Sequence, residues 1–180
     1  MPLVAGRTVR EGLPSNQRRV NLHRVGGASL ASRIALGLEL RIDSLSRSAA
    51  SADVQVSLTN TGGGHAVPAG MATRTLVLAV GVDTGSREMQ HRRERIYGRE
   101  LKDEHGHTLA SVQDLFLKAA IVGADTRLKP KETRSERFTV PLPEGSKAIV
   151  VRLEYRDASD PKTSPTTTLV TEQRRDLAAP

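Results

Sequence analysis

Apolar and polar residues alternate in several separate segments of the chain, and a period of two is typical of β-strands. In chain order these segments are 34–42, 52–59, 74–82, 138–142 and 149–155. Alternate side chains of a strand point to opposite faces, so the apolar residues of each segment share one face. Short strands separated by turn residues, without a long helical period, predict an all-β fold: an antiparallel, immunoglobulin-like β-sandwich.

The same alternation predicts the core. We expect these side chains to face the inside of the sandwich: Val54, Val56, Leu58, Leu76, Leu78, Val80, Ile149, Val151, Leu153 and Tyr155. Val77 and Ala79 are also apolar and fall on the other face of their strand, so we expect that strand to be covered on both faces.

The remaining segments set the predicted boundaries. Residues 1–28 are polar and lack periodicity, which predicts an extended arm, and 29–156 would form the sandwich domain. Residues 157–180 are rich in Pro, Thr and charge, which predicts a flexible tail. Small residues at 44–51 predict a loop, while 112–122 is apolar and fits a helix, a strand or a packed loop.

Glycine and proline crowd the segment between two of the strands. Residues 60–70 read Asn-Thr-Gly-Gly-Gly-His-Ala-Val-Pro-Ala-Gly, so five of the eleven are Gly or Pro. Glycine allows a close backbone approach and Pro68 fixes its own φ, so this loop is suited to hold one shape. A shaped loop that carries His65 is one kind of ligand site. The alternative, which the residues alone favour, is a structural turn in which one ring nitrogen of His65 bonds to a carbonyl or a carboxylate.

The chain is basic but nearly devoid of aromatic residues. Its formal net charge is +7, Arg outnumbers Lys by 21 to 6, and aromatic residues make up 2%. Stacking on nucleic-acid bases needs aromatic side chains, so we do not expect a nucleic-acid partner. A basic surface attracts anionic partners. The densest cluster is His91, Arg92, Arg93 and Arg95, which makes an anionic protein surface an alternative partner.

The chain has no cysteine, which excludes disulfides, thiolate catalysis and cysteine-ligated zinc. It also excludes covalent c-type haem within this chain, because that attachment needs Cys-x-x-Cys-His. No nucleophile elbow or phosphate-binding loop is present, so we expect no enzymatic activity. No apolar run reaches the length of a membrane span, and the first residues lack the apolar core of a signal peptide.

Two histidines stand close together in a second candidate site. His105 and His107 are two positions apart, which on a strand would place both imidazoles on one face, as in a metal pair. Gly106 lies between them and predicts a turn, so solvent exposure is the simpler expectation. A metal site that uses these two residues together with His65 remains a hypothesis.

Three groups of residues carry a family resemblance through their order and spacing. They are 20–27 (Val-Asn-Leu-His-Arg-Val-Gly-Gly), 56–70 with Arg74, and 124–132 with the closing 151–155. Together they resemble the Cys-free C-terminal β domain that follows the haem-binding part of some multihaem c-type cytochromes. The chain departs from that pattern at Ala69, where the family usually has Thr, and at Val25, where it usually has an aromatic residue.

The resemblance implies a non-catalytic accessory domain of an electron-transfer system, in the periplasm or another extracytoplasmic space. Its partner would be the multihaem portion or subunit, and haem would come from that partner or from a missing N-terminal region, with none in the isolated chain. His23 would be the first candidate for a distal axial ligand and His65 the second. In such cytochromes the last haem motif is often followed by Met-Pro. The chain begins Met1-Pro2. One hypothesis is that it is the tail of a longer cytochrome, begun at an internal Met by gene splitting or by a misplaced start; the alternative is a complete chain.

Overall fold

The computed structural model describes residues 3–6, 18–21, 34–86, 88–159 and 164–177. Almost all of the regular structure is β-strand. Within these ranges the strands are β1 Leu3–Gly6, β2 Arg18–Asn21, β3 Leu38–Arg47, β4 Ser51–Asn60, β5 Arg74–Asp83, β6 Gln90–Tyr97, β7 Arg99–Lys102, β8 Ile121–Asp125, β9 Thr133–Pro141, β10 Ala148–Asp157 and β11 Thr166–Asp176. A short helix, α1, spans Val112–Leu117.

Two larger antiparallel sheets build the sandwich. One has the strand order β11-β10-β5-β6 and the other the order β3-β4-β9. The apolar faces of both sheets contribute to one buried cluster, which confirms the predicted all-β antiparallel sandwich. β1 pairs with β2, and β7 with β8, in two further two-stranded sheets.

All ten of the predicted inward-facing side chains are buried. Nine of them have no exposed surface and Tyr155 retains 3%. Val77 and Ala79 are also fully buried, as predicted for a strand covered on both faces. Burial of one such side chain contributes about 1.5–3 kcal/mol, so the alternating runs supply the stability of the sandwich.

The first long strand begins and ends later than its alternation predicts. Ile34 belongs to a helical turn, and Leu36 is 83% exposed in the turn that precedes β3. Beyond Ile42 the strand runs on through residues predicted as a loop, and a bulge shifts its register between Ile42 and Ser44. A bulge inserts one residue, so Leu45 packs against the same core as Ile42 although their spacing is odd.

The prediction of a flexible tail is wrong for residues 166–176. Thr166–Asp176 forms β11 and pairs with β10 along its whole length. The segment is rich in β-branched Thr, which favours strands. It lies at a sheet edge and buries none of its side chains fully, so its sequence shows no apolar alternation. Within the predicted arm the structure describes β1 and β2, which pair with each other in a regular antiparallel register.

Candidate functional site

Asn60 anchors the glycine-rich loop that joins β4 to β5. Its side chain has no exposed surface. The amide nitrogen donates to the carbonyl oxygens of His65 at 3.0 Å and Leu128 at 3.2 Å, and Oδ1 accepts from the backbone N–H of Gly63 at 2.9 Å. One buried side chain thus joins Gly63 and His65 of the loop to the connector that precedes β9. An Asn at the end of a strand, before Thr-Gly-Gly-Gly, is the sequence signal for this turn.

The close contact with Asn60 explains one of the loop glycines. A Cβ atom on Gly63 would lie 2.6 Å from Oδ1 of Asn60 and 3.0 Å from a methyl carbon of Val67. No side chain fits there without displacing the amide that holds the loop. Gly70 is required for a different reason, because its φ of 91° is a conformation that L residues rarely adopt.

Backbone hydrogen bonds fix the loop on two further sides. The N–H groups of Thr61 and Gly62 donate to the carbonyl of Gly37 at 2.9 and 3.2 Å. Val67 and Leu128 exchange a pair of N–H to carbonyl bonds, each 2.9 Å long, and Leu128 is completely buried. The loop is therefore tied to the turn before β3 and to the connector before β9, as expected for a loop that holds one shape.

His65 lies on the outside of this loop with its ring exposed. Its Nδ1 is 3.1 Å from the carbonyl oxygen of Ala66, so the tautomer with hydrogen on Nδ1 donates to that carbonyl. This is the backbone bond expected for a structural His65. In that tautomer Nε2 carries a free lone pair, and within the described ranges it takes part in no hydrogen bond. A ring held in this way presents Nε2 as an acceptor or a metal ligand.

An apolar cleft of about 390 Å³ lies between the loop and the turn before β3. Its lining residues are Ile34, Leu36, Gly37, Leu38, Gly62, Gly63, His65, Val67, Pro68, Ala69 and Tyr155. The Tyr155 hydroxyl is buried and has no hydrogen-bond partner among the residues that the structure describes. Burial raises the pKa of Tyr155 above its ordinary value, so the phenol stays protonated at neutral pH. The alternation in the sequence assigned Tyr155 to the core and contained no signal for this cleft.

Among the described residues, His105 and His107 form no metal-binding group with His65. His105 and His107 lie on the exposed turn at Gly106, and their ring centres are 6.1 Å apart. Asp103 organises this turn by accepting N–H bonds from both residues and a contact from Nδ1 of His107 at 3.1 Å. The described ranges contain no group of three or more His, Asp or Glu side chains suited to hold a metal ion. His23 lies outside the described residues.

Most of the arginines that suggested a basic face are paired within the fold. Arg92 forms a bidentate bond to Glu154, with nitrogen–oxygen distances of 2.9 and 2.7 Å, and a third bond of 2.6 Å to Glu94. Bonding to Glu154 raises the pKa of Arg92 still further above its already high value. Arg95 pairs with Glu136 on the other side of the strand. Much of the positive charge is thus neutralised locally, although the net charge of the chain remains +7.

No helix among the described residues is long and apolar enough to span a membrane. No protein-family model matches the chain, and no curated protein matches it significantly.

The chain is similar in structure to a penta-haem cytochrome c552 from Thermochromatium tepidum, with a TM-score of 0.64 and 19% sequence identity. The likeness shows a shared fold. It covers 85% of this chain and 42% of the cytochrome, so the chain spans less than half the length of that protein. A β-glucosidase from Kluyveromyces marxianus matches with a TM-score of only 0.32 and 9% identity, over 79% of this chain and 14% of the enzyme. β-Glucosidase 3B from Thermotoga neapolitana matches with a TM-score of 0.30 and 15% identity, over 78% of this chain and 17% of the enzyme.

Proposed function

We propose that this chain is a non-catalytic β-sandwich accessory domain of a multihaem cytochrome, with a role in electron transfer or in assembly of the haem-bearing part. The observation that carries the proposal is the likeness to a penta-haem cytochrome, whose matched region takes in 85% of this chain. The order of motifs around His65 and Arg74 supports the same relation independently of the fold. An extracytoplasmic location follows from this proposal.

The chain lacks the cysteines that attach c-type haem, so the haem would belong to a partner or to a further region of the protein. His65 fits such a haem as a ligand because its ring is exposed, its Nδ1 is held by the Ala66 carbonyl and its Nε2 points away from that bond. A bound haem would supply one-electron transfer. The contribution of this chain is a rigid loop that fixes the imidazole. His23, the first candidate from the resemblance, stays a candidate ligand beside His65.

Isolation of the protein from its native host tests this function. The chain carries a C-terminal affinity tag, and the isolated material is separated under denaturing conditions and stained for covalently bound haem. We expect haem either on a tagged polypeptide that is longer than this chain or on a co-isolated subunit, with Cys-x-x-Cys-His peptides identified by mass spectrometry. Haem at or below the level found with an unrelated tagged protein would contradict the proposal. A haem-free partner released by raising the salt concentration would favour the anionic-surface alternative instead.

A tagged His65→Ala protein refines the experiment. If His65 is an axial ligand, the isolated complex should retain its haem but show a shifted Soret band and an altered low-spin spectrum. An exposed histidine outside the loop, His107, provides the matched control, and His107→Ala should leave the spectrum unchanged. Identical spectra for all three proteins would remove His65 from the ligand set while leaving the accessory role to be judged by the haem stain.

A further inference from the structure

Residues 99–125 leave the sandwich as a separate segment, which we call the β7–β8 finger. It consists of β7, α1 and β8, and no other strand among the described residues joins the sheet that β7 forms with β8. None of the residues of the finger is buried, whereas Tyr97 and Leu128, just outside it, retain only 2% and 0% of their surface. The hydrophobic core therefore ends at the base of the finger.

The apolar side chains of the finger do not build a core of their own. Phe116 and Leu117 of α1 are 77% and 72% exposed, and Ile121 and Val122 of β8 are exposed as well. Burial of apolar surface is the main favourable term in folding, and the finger gains little of it. A two-stranded hairpin without such burial is only marginally stable in water.

Most hydrogen bonds of the finger close within it and connect its three elements. The N–H groups of Leu109 and Ala120, on the two sides of α1, each donate at 2.9 Å to a carbonyl oxygen of β7. Ser111 caps the helix, because its hydroxyl oxygen accepts from the N–H of Asp114 at 3.0 Å. β7 is in turn paired with β8. Each element is thus held mainly by the other two.

The base of the finger is fixed to the sandwich. The N–H of Thr126 donates to the carbonyl of Gly98 at 2.9 Å, and the N–H of Gly98 donates to Oγ1 of Thr126 at 3.0 Å. Arg134 of β9 donates through Nη1 to the carbonyl of Thr126 at 2.7 Å. These bonds hold the two ends of the finger together on the sandwich side, so the finger can open without separating the two large sheets.

We propose that the β7–β8 finger opens and closes as one cooperative unit while the sandwich stays folded, with the bonded pair Gly98 and Thr126 as the fixed base. The finger has enough internal bonds for one closed conformation and no core to hold it closed. Segments with few buried apolar contacts open locally at a lower free energy than the whole domain. This inference does not depend on the proposed function.

Amide hydrogen exchange of the full chain, measured over a series of low denaturant concentrations, tests the opening. Amides of β7, α1 and β8 should exchange through one common opening, with protection at least about a hundredfold below that in the middle of β5 and β10. Ser111→Ala removes the cap of α1 and should speed this exchange by about threefold to tenfold. The increase should be the same in β7 and β8, although the Ser111 side chain bonds to neither strand.

Ser48→Ala is the matched control. Ser48 lies in the turn between β3 and β4, and its hydroxyl oxygen accepts from the N–H of Ser51 at 3.1 Å, again three residues further along the chain. This variant should leave exchange in the finger unchanged. The proposal is overturned if the amides of the finger are as protected as those of β10, if β7 and β8 show no protection, or if the effect of Ser111→Ala stays within α1.

Discussion

The buried side chain of Asn60 leads to the sharpest prediction. Asn60→Ala removes three hydrogen bonds at once, to His65, Leu128 and Gly63. A net loss of about 0.5–1.5 kcal/mol for each bond gives roughly 2–4 kcal/mol of lost stability, a large part of the total for a domain of this size. The fold of the two sheets should persist, because no apolar core residue is changed.

Chemical denaturation measures the loss, and amide hydrogen exchange locates it. The N–H of Gly63 should lose its protection in Asn60→Ala, while amides in the middle of β10 should keep theirs relative to the new global stability. Thr59→Ala is the matched control, since Thr59 is the preceding residue and its hydroxyl bonds only to Thr133 at an exposed position. That variant should lose no more than about 1 kcal/mol. A loss below about 1 kcal/mol for Asn60→Ala, or unchanged exchange at Gly63, would refute the anchoring role.

Three further predictions concern the core, the loop histidine and acid stability. Leu78→Ala should lower the free energy of unfolding, measured with denaturant, by about 2–5 kcal/mol, because Leu78 is completely buried. The exposed control Leu36→Ala should change it by less than about 0.5 kcal/mol, and equal losses would show that the core is wrongly placed. His65→Ala should lower the apo melting temperature slightly through loss of the Ala66 bond, and equal melts of both apo proteins would leave His65 only a ligand role. Hydrogen bonding to Arg127 lowers the pKa of Asp125 from its ordinary 3.8 to about 2. The ionised pair therefore stabilises the fold above about pH 4, and this stabilisation is lost as the pH falls through 2. Asp125→Asn should flatten the acid limb of a plot of unfolding free energy against pH, and an unchanged limb would count against this pair.

The sequence carried enough information for the sandwich because each central strand buries one complete face. Leu76, Leu78 and Val80 follow a strict period of two, and the pairing of β5 with β10 matches it residue for residue. The same reasoning failed at Leu45, because a bulge changes the period by one residue and leaves no apolar signal of its own. It failed again at β11, where an edge strand is stabilised mainly by backbone bonds that any polar sequence can make.

The candidate site was predictable only in part for a related reason. The glycines and Pro68 reveal that a loop is held in one shape, and His65 is conspicuous within it. Asn60, whose side chain anchors this loop, lies at the end of a strand, and its sequence position does not distinguish it from other turn residues. The cleft arises where residues far apart in the chain, such as Leu36 and Tyr155, come together, and no local pattern encodes that contact.

The position of β11 has a consequence for shortened versions of the protein. The Pro- and Thr-rich sequence after Asp157 could be taken for a dispensable tail and removed. A chain cut there would lose β11, the outer partner of β10, which is buried along most of its length. The N–H and C=O groups that β11 satisfies would then face solvent as an open, apolar edge, ready to pair with another molecule. Such a truncation is expected to aggregate, and low solubility would then reflect a missing strand instead of an intrinsically unstable domain.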